Sequence, residues 1–519
     1  MKVIDCELRT IVAAPADCQY AALSYVWGEL PSDETWKTAG EGIEGRKLPE
    51  LPDTIEDSMQ IARDLSIPYI WVDRYCIDQA NKVDKHRQIQ QMDLIYSSAT
   101  LTIIAAAGEN PSYGLPGLSG GPRQGQHSLR IGDRLLVGTI PPVLSNSTWA
   151  SRGWTYQEGI LSRRRLIFTA QQMLYECNGM HCTESLVLPL DVLHTKSRHR
   201  FKTSVALGYF EAKRPGSNAL DIMQYISEYY QRHLSFDEDA LNAMRGVLQA
   251  FHKAPASRRV YTVTGVPICS ILYSKKYENP TPAQLFLLGL LWYHVEGGIR
   301  RKHHPSWSWA GWKGGRLQSH SLLRREWFFL SGPSDTTVSI ELTDGQLKEF
   351  PDFNDLSDFL SSIDYSARYI HIEAWTIPCS IVHITQKSSK FLQYSEFYIS
   401  FPINDVDVGY LQTHLSIDTS DPIQRTNLLQ KTYVVIFLPW EHSRKEPRRA
   451  FGLVVEDKGL FYERVGCFEL SEVGVLRSAW WPHDVVLDSG DSKRDMIERS
   501  SLSQWFYTIP KRRQKIRLG

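Results

Sequence analysis

The sequence lacks any apolar run long enough to cross a membrane, which takes about 20 consecutive apolar residues. The longest candidate, residues 285–295, is interrupted by Gly289 and His294 and is typical of a buried core segment. The first five residues end in Asp5, where a secretory signal would need an apolar stretch. These features predict a cytoplasmic protein with no membrane partner.

The sequence also lacks an excess of either charge, with 58 basic and 58 acidic residues and an isoelectric point near 7.3. Proteins that bind the phosphate backbone of nucleic acids need a basic excess. We therefore expect no nucleic-acid partner for the chain as a whole.

Cysteines are few, with eight scattered over 519 residues, which excludes a dense disulfide scaffold. Cys177, His181 and Cys182 resemble half of a zinc site. A structural zinc ion needs four ligands, and no second close-spaced pair is visible. We therefore expect buried thiols, no metal and no tightly bound cofactor.

Apolar and aromatic residues are abundant, with 42% hydrophobic residues and 15 tryptophans, as in well-packed globular proteins. A chain of this length exceeds one ordinary core, which indicates two or three domains. The patterns divide it into a first domain at residues 1–190, a helical connecting region with a tryptophan-rich strand at 191–320, and a β-rich region at 321–519.

The first 185 residues alternate between buried strands and amphipathic helices. Strand-like runs at 21–27, 69–73 and 100–107 are separated by a helix after Pro52 and by another over 84–97. Asp53 is the expected cap of the first helix. Strands that alternate with helices over short connections favour a parallel sheet with right-handed crossovers. The sequence therefore predicts an α/β fold for this part.

Polar and aromatic side chains follow the ends of these strands. Ligands of open parallel sheets bind beyond the carboxyl ends of the strands, so these side chains predict one crevice. Tryptophan faces stack on planar rings, while carboxylates and amides hold hydroxyl groups, a combination that suits a nucleotide. The alternative is that the aromatic residues are core and the charged ones form a structural ion-pair network. The candidate binding residues are Ser24, Trp27, Gly28, Asp73, Asp78, Gln79, Arg152, Trp154 and Glu158.

Several segments follow one another as in a known family: LSYVWG at 23–28, LPDTI at 51–55, WVD at 71–73, CIDQ at 76–79 and RGWTYQE at 152–158. Over roughly residues 20–185 the chain resembles the HET domain, the heterokaryon-incompatibility family of filamentous fungi. A tryptophan-rich stretch at 305–312 is similar to one that often follows this domain. Arg74 and Tyr75 depart from the family, which more often has small or apolar residues there.

The resemblance implies a role in non-self recognition at fungal cell fusion, a form of innate immunity in which the domain triggers growth arrest and programmed cell death. The family is considered distantly related to Toll/interleukin-1 receptor (TIR) domains, which implies a flavodoxin-like fold. Some TIR domains cleave NAD at the nicotinamide glycosidic bond through a glutamate that follows a tryptophan. Trp154 and Glu158 resemble that pair.

The TIR-like hypothesis gives Glu158 the catalytic role, with Trp27 or Trp154 stacked on a ring of NAD. Asp73 and Gln79 would hold polar groups, and the pyrophosphate would meet Arg152 or the backbone near Gly28. Arg152 equally fits a salt bridge to Asp73 or Glu158. The other hypothesis is a non-enzymatic signalling module whose motifs build a surface for self-association or for a partner protein. The sequence leaves open whether the protein is an enzyme.

Overall fold

The computed structural model describes most of the chain. The described residues are 1–28, 43–125, 128–137, 144–185, 187, 209–210, 214–269, 280–295, 297–319, 336–363, 367–387, 393–402, 408–415, 422–442, 447–471, 476–478, 484–488 and 509–519. The chain forms two compact units, Met1–Ser217 with Arg232–Ala250 and Asn218–Gln231 with Phe251–Gly519. The three-part division at 190 and 320 stays a prediction.

The first unit is built on an eight-stranded sheet. In chain order its strands are β1 (Lys2–Asp5), β2 (Thr10–Ala13), β3 (Tyr20–Ser24), β4 (Tyr69–Trp71), β5 (Leu101–Ala105), β8 (Arg164–Phe168), β9 (Met173–Cys177) and β10 (His181–Thr183). Strands β6 (Ser128–Ile131) and β7 (Arg134–Val137) form a separate hairpin. The order across the sheet is β10-β9-β8-β5-β3-β4-β1-β2.

The four central strands β4, β3, β5 and β8 are parallel, and β3, β4 and β5 are the three for which the sequence predicts a parallel sheet. Numbered along the chain they lie in the order 2-1-3-4, which is the order of the first four strands in flavodoxin-like sheets. The outer strands are antiparallel, so the sheet is mixed. The reason is loop length, because a short turn such as that between β8 and β9 can join only antiparallel strands. The α/β prediction is confirmed.

Complete burial explains why β3 and β5 occupy the middle of this sheet. All five residues of each strand are buried, and both are rich in apolar residues. Ile55, Met59 and Ala62 are fully buried on one side of a helix of the same unit. The core of the first unit therefore lies around the parallel strands, with their carboxyl ends at one edge.

The helices of the first unit differ from the sequence prediction in two details. Asp53 is the first helical residue and Pro52 the cap, because proline is tolerated where no helical N–H bond is needed. The single helix predicted over 84–97 is divided at Gln91. The helices are α1 (Asp53–Asp64), α2 (Asp73–Cys76), α3 (Lys82–Gln90), α4 (Met92–Ser98), α5 (Thr148–Ser151) and α6 (Gly153–Leu161).

Two chain segments between residues 218 and 252 are helical in part. They contain α7 (Ile222–Tyr230) and α8 (Arg245–His252), with 3-10 turns at Ala219–Asp221, Asp237–Ala240 and Asn242–Met244. Helix α8 begins only at Arg245, because the acidic run before it forms 3-10 turns.

The second unit is rich in β-structure, which confirms the prediction for the C-terminal region. Its longest strand, β19 (Tyr369–Lys387), runs through a twelve-stranded sheet. Three further helices are α9 (Pro282–Gly289), α10 (Leu356–Ser362) and α11 (Pro422–Leu429). The remaining strands are β11 (Val260–Val263), β12 (Val266–Cys269), β13 (Trp292–His294), β14 (Ile299–Arg300), β15 (Trp312–Lys313), β16 (Leu317–Ser319), β17 (Thr337–Glu341), β18 (Leu347–Glu349), β20 (Gln393–Pro402), β21 (Val408–Gln412), β22 (His414–Leu415), β23 (Thr432–His442), β24 (Pro447–Asp457), β25 (Tyr462–Ser471), β26 (Leu476–Ser478), β27 (Asp484–Asp488) and β28 (Arg512–Leu518).

The tryptophan-rich stretch is core rather than a continuous strand. Trp307 and Trp309 are fully buried, Trp309–Gly311 forms a 3-10 turn, and a strand begins only at Trp312. Each indole N–H donates to a backbone carbonyl, that of Trp307 to Arg368 and that of Trp309 to Gly265. Satisfied N–H groups let these large rings fill the interior of the second unit.

None of the helices in the described residues is long and apolar enough to span a membrane. The same part of the chain contains no group of three or more residues arranged to hold a metal ion. All eight cysteines are free thiols.

Candidate functional site

Helix α6 carries most of the RGWTYQE segment, and several of its residues anchor it to residues 232–250. The backbone N–H of Gly153 donates to His233 O at 2.7 Å, and the buried amide oxygen of Gln157 accepts from Gly246 N at 3.0 Å. Arg232 lies over the Tyr156 ring, 4.7 Å from its centroid. Several residues of the RGWTYQE segment therefore stabilise the packing of α6 within the first unit.

Arg165 fixes the other end of α6. Its side chain is 1% exposed, and it donates to Gly159 O at 2.5 Å and to Ile160 O at 3.2 Å. A guanidinium group at a helix C-terminus satisfies carbonyls that have no partner within the helix. The helix is thereby held at both ends, which fixes the position of Glu158 between them.

We predict that Gly246→Ala destabilises the first unit, although alanine normally favours a helix by up to about 1 kcal/mol. A Cβ at position 246 would lie 2.4 Å from Asp93 Cβ and 2.7 Å from Leu161 Cδ1. Overpacking of this kind costs about 1–3 kcal/mol. Urea unfolding measures the change, and Gly125→Ala, whose Cβ would meet nothing within 4 Å, is the control. Equal stabilities of the two variants would contradict the close approach of α8 to α6.

Glu158 is buried and points to the carboxyl end of β3. It is 5% exposed, and its Oε2 accepts a hydrogen bond from Ser24 Oγ at 2.5 Å. The indole N–H of Trp149 donates to Ser24 Oγ at 2.8 Å. Because an indole can only donate, the single proton of Ser24 is directed to Glu158. A second hydroxyl, that of Tyr96, also interacts with Glu158.

Asp73 lies two residues beyond the end of β4, and β4 is the neighbour of β3 in the sheet. The indole N–H of Trp27 contacts both its carboxylate oxygens, at 3.1 Å and 2.9 Å, and the backbone N–H of Arg74 donates to Oδ1 at 2.7 Å. Asp73 is partly exposed, as is Trp27. The structure thus brings Trp27 and Asp73 together at the edge where the sequence predicts a crevice.

Both carboxylates have raised pKa values. Burial, followed by the negative charge of Asp73, raises the pKa of Glu158 to about 7. Burial also raises the pKa of Asp73 to about 6, against the hydrogen bonds from Arg74 and Trp27. The charge of Arg152 lowers the pKa of both groups. Two neighbouring carboxylates with raised pKa values are a common feature of catalytic sites.

Arg152 and Tyr25 complete the charged cluster. The charges of Arg152 and Arg74 lower the pKa of the Tyr25 hydroxyl, although burial keeps that pKa well above its ordinary value. Among the described residues, no hydrogen bond or ion pair uses the Arg152 guanidinium. The salt bridge from Arg152 to Asp73 or Glu158 is therefore not formed within ion-pair distance in this part of the structure.

The other predicted site residues contact different groups. Trp154 packs against the core of the first unit and hydrogen-bonds Asp239. Asp78 accepts from the backbone N–H groups of Ala80 and Asn81, and Gln79 donates to the backbone carbonyl of Asp73 at 3.3 Å. Asp78 and Gln79 thus shape the loop after α2.

Gly28 has a structural reason to be glycine. Its φ is +67°, and a Cβ there would lie 2.7 Å from Asn110 Cβ in the loop after β5. That loop is fixed by Asp57, whose Oδ2 accepts from Leu115 N at 2.7 Å and from Ser119 Oγ at 2.6 Å. The close approach therefore joins the segments that follow β3 and β5.

Sequence reasoning missed Trp149 and Tyr25 as members of the cluster. Trp149 lies just before the RGWTYQE segment, and its contact with Ser24 spans 125 positions. Tyr25 sits within LSYVWG, where an aromatic residue reads as part of a buried strand. Nothing in their local pattern distinguishes them from core residues.

The comparison with protein families gives one match. Residues 20–158 match the family model described as "Heterokaryon incompatibility protein (HET)". The match begins at the first residue of β3 and ends at Glu158, so it includes every predicted site residue. No curated protein and no solved structure matches the chain. The family match supports a heterokaryon-incompatibility type of function, and the relation to TIR domains stays an expectation.

Proposed function

We propose that this chain, which carries a HET domain at residues 20–158, uses that domain to hydrolyse the nicotinamide–ribose bond of NAD. The observation that carries the proposal is the pair Glu158 and Asp73 beyond the carboxyl ends of β3 and β4. Loss of NAD in the cytoplasm would then be the way in which the protein triggers growth arrest or cell death.

Cleavage of this bond does not require a strong general acid. The C1′–N bond breaks with its electron pair going to the nicotinamide nitrogen, which neutralises the cationic ring. Water then forms the new C1′–O bond and gives up one proton, so that the products are nicotinamide, ADP-ribose and a proton. The oxocarbenium-like transition state is stabilised by a nearby carboxylate, the role that we give to Glu158.

The other residues bind the substrate in this proposal. Asp73 is partly exposed and accepts from Trp27, and we give its carboxylate the role of binding a ribose hydroxyl. The Trp27 ring offers a face for a planar base. Ser24 and Trp149 do not touch substrate, but position Glu158 through their hydrogen bonds.

The test is NAD consumption by the purified full chain, measured with nicotinamide release over a range of protein concentrations. We expect Glu158→Gln to lower the rate by at least about 100-fold, because the amide cannot supply the charge that stabilises the transition state. Glutamine still accepts from Ser24, so the fold should persist. Glu184→Gln, at a surface pair with Arg123, is the matched control.

The pH profile provides a second readout. A carboxylate that stabilises positive charge acts in its ionised form, and the pKa of Glu158 is about 7. The rate should therefore rise as the pH increases from about 6 to 8. Absence of turnover at every protein concentration, with a folded wild-type chain, would refute the proposal.

A second candidate function, self-association without catalysis, is favoured by the β6–β7 hairpin. Four of its apolar side chains are more than half exposed: Leu129, Ile131, Leu135 and Leu136. Exposed apolar residues grouped in this way often mark interaction surfaces. Under this alternative the protein oligomerises as its concentration rises, but NAD is not consumed.

A further inference from the structure

Two polar atoms near Asp73 are buried without a hydrogen-bond partner in the described part of the chain. They are the hydroxyl oxygen of Tyr25, a residue only 4% exposed, and Nη1 of Arg74. More than about 90% of buried polar groups in proteins are hydrogen-bonded, so each exception needs a physical reason. Leaving such a group unsatisfied destabilises the folded state.

These two atoms belong to one cluster. Tyr25 directly follows β3 and stands two residues before Trp27, whose indole bonds Asp73. Arg74 adjoins Asp73 in α2 and donates its backbone N–H to that carboxylate. Burial raises the pKa of the Tyr25 hydroxyl well above its ordinary value, and the charges of Asp73, Arg74 and Arg152 act on the same hydroxyl.

We propose that Tyr25, Arg74 and Arg152 form a subsite for a phosphate group of a nucleotide, beside Asp73. The ligand class rests on the proposed function, whereas the unpartnered atoms do not depend on it. The substrate is then a nucleotide, and a nucleoside, which has no phosphate, binds more weakly.

The donor set decides the kind of ligand. A guanidinium has only N–H donors, and a buried phenol with no acceptor has an O–H to donate, so the missing partner is an acceptor. Arg74 and Arg152 are both positively charged, and the charge of Arg152 also acts on the carboxylates of Asp73 and Glu158. An anionic acceptor suits such donors better than a neutral one. Phosphate oxygens match the paired N–H geometry of arginine and accept several hydrogen bonds at once.

The test measures binding by calorimetry in the full chain with Glu158→Gln, so that no ligand is consumed. The ligands are NAD, nicotinamide riboside and inorganic pyrophosphate. Arg74→Met should weaken NAD and pyrophosphate binding by about 10-fold or more, because charged hydrogen bonds are lost. Tyr25→Phe should weaken both by about 3-fold to 10-fold. Riboside binding should not change in either variant.

Tyr25→Phe also carries a stability readout that separates the two roles of the hydroxyl. An unpartnered hydroxyl predicts an unchanged or raised midpoint of urea unfolding, whereas a structural hydroxyl predicts a lower one. Arg87→Met, on an exposed helix surface, is the control for loss of an arginine. A lower midpoint for Tyr25→Phe, or equal losses for NAD and riboside, would overturn the subsite.

The experiments test the phosphate subsite and the proposed reaction independently of each other. If wild-type protein binds NAD and pyrophosphate but releases no nicotinamide, the reaction is wrong and the subsite is supported. If NAD is hydrolysed and Arg74→Met leaves its affinity unchanged, the subsite is wrong and the reaction is supported. If neither NAD nor pyrophosphate binds, the subsite is overturned.

Discussion

Between pH 4.5 and pH 8, the stability of the wild-type chain should fall by about 3 kcal/mol relative to that of Glu158→Gln. The pKa of Glu158 rises from 4.5 to about 7 on folding, because burial and the charge of Asp73 disfavour its ionised form. Each unit of pKa difference corresponds to about 1.4 kcal/mol at 25 °C. The native state thus holds a proton that the unfolded chain has already lost.

The sign follows from proton binding. Because the folded pKa is raised, the stabilising contribution is complete below pH 4.5 and is lost as the pH rises through about 7. Glutamine does not titrate, so the variant loses this dependence. Urea unfolding followed by hydrogen exchange in peptides that cover α6 reports the first unit separately from the second.

Glu56→Gln is the matched control for this experiment. The hydrogen bond from Arg9 lowers the pKa of Glu56, so its contribution is present above pH 4.5 and is lost as the pH falls. Glu56→Gln should therefore leave the pH dependence between pH 4.5 and pH 8 unchanged, and should alter it in the opposite sense only below about pH 4.5. Parallel curves for wild type and Glu158→Gln would show that Glu158 ionises as an exposed carboxylate does.

Trp149→Ala should destabilise the first unit by about 3–5 kcal/mol, the usual cost of removing a buried large aromatic side chain. Trp149 is fully buried, and its ring meets Phe210 edge to face with centroids 6.4 Å apart. The substitution also removes the N–H that donates to Ser24. Packing and hydrogen bonding therefore act in the same direction.

Trp149→Phe separates the two contributions, because it keeps an aromatic ring and loses the indole N–H. We expect a cost of about 1–2 kcal/mol, close to that of one buried hydrogen bond with some lost packing. Tyr113→Ala, at an exposed aromatic residue, should change stability by less than about 0.5 kcal/mol. Calorimetric unfolding of the three variants gives the comparison. A Trp149→Ala protein as stable as Tyr113→Ala would contradict the burial of this ring.

The central strands were predictable because their sequence signals are local. The apolar runs that give β3 and β5 are short, buried and bounded by polar turns, and the alternation with helices indicates parallel pairing. The hairpin formed by β1 and β2 escaped prediction. Lys2–Asp5 and Thr10–Ala13 are only four residues each, and such short runs carry little periodicity.

The candidate site was predictable in part for the same reason. Trp27 and Asp73 each end a strand-like run, and parallel strands bring their carboxyl ends to one edge. The directions in which the side chains of α6 point were not predictable. The sequence places Trp154 and Glu158 one helical turn apart, yet the first bonds Asp239 and the second Ser24, because the partners come from distant segments. Contacts of that range leave no trace in local periodicity.

The two units alternate along the polypeptide, because residues 218–231 belong to the second unit and residues 232–250 belong to the first. During synthesis, the first unit is therefore complete only after residue 250 has left the ribosome tunnel. Until then the Gln157 amide lacks the Gly246 N–H, and the carbonyl of His233 is not yet available to Gly153. A nascent chain stalled shortly after Glu158 holds every residue of the candidate site, but its α6 lacks the contacts with residues 232–250. The position of Glu158, the central residue of the candidate site, is therefore fixed late in translation.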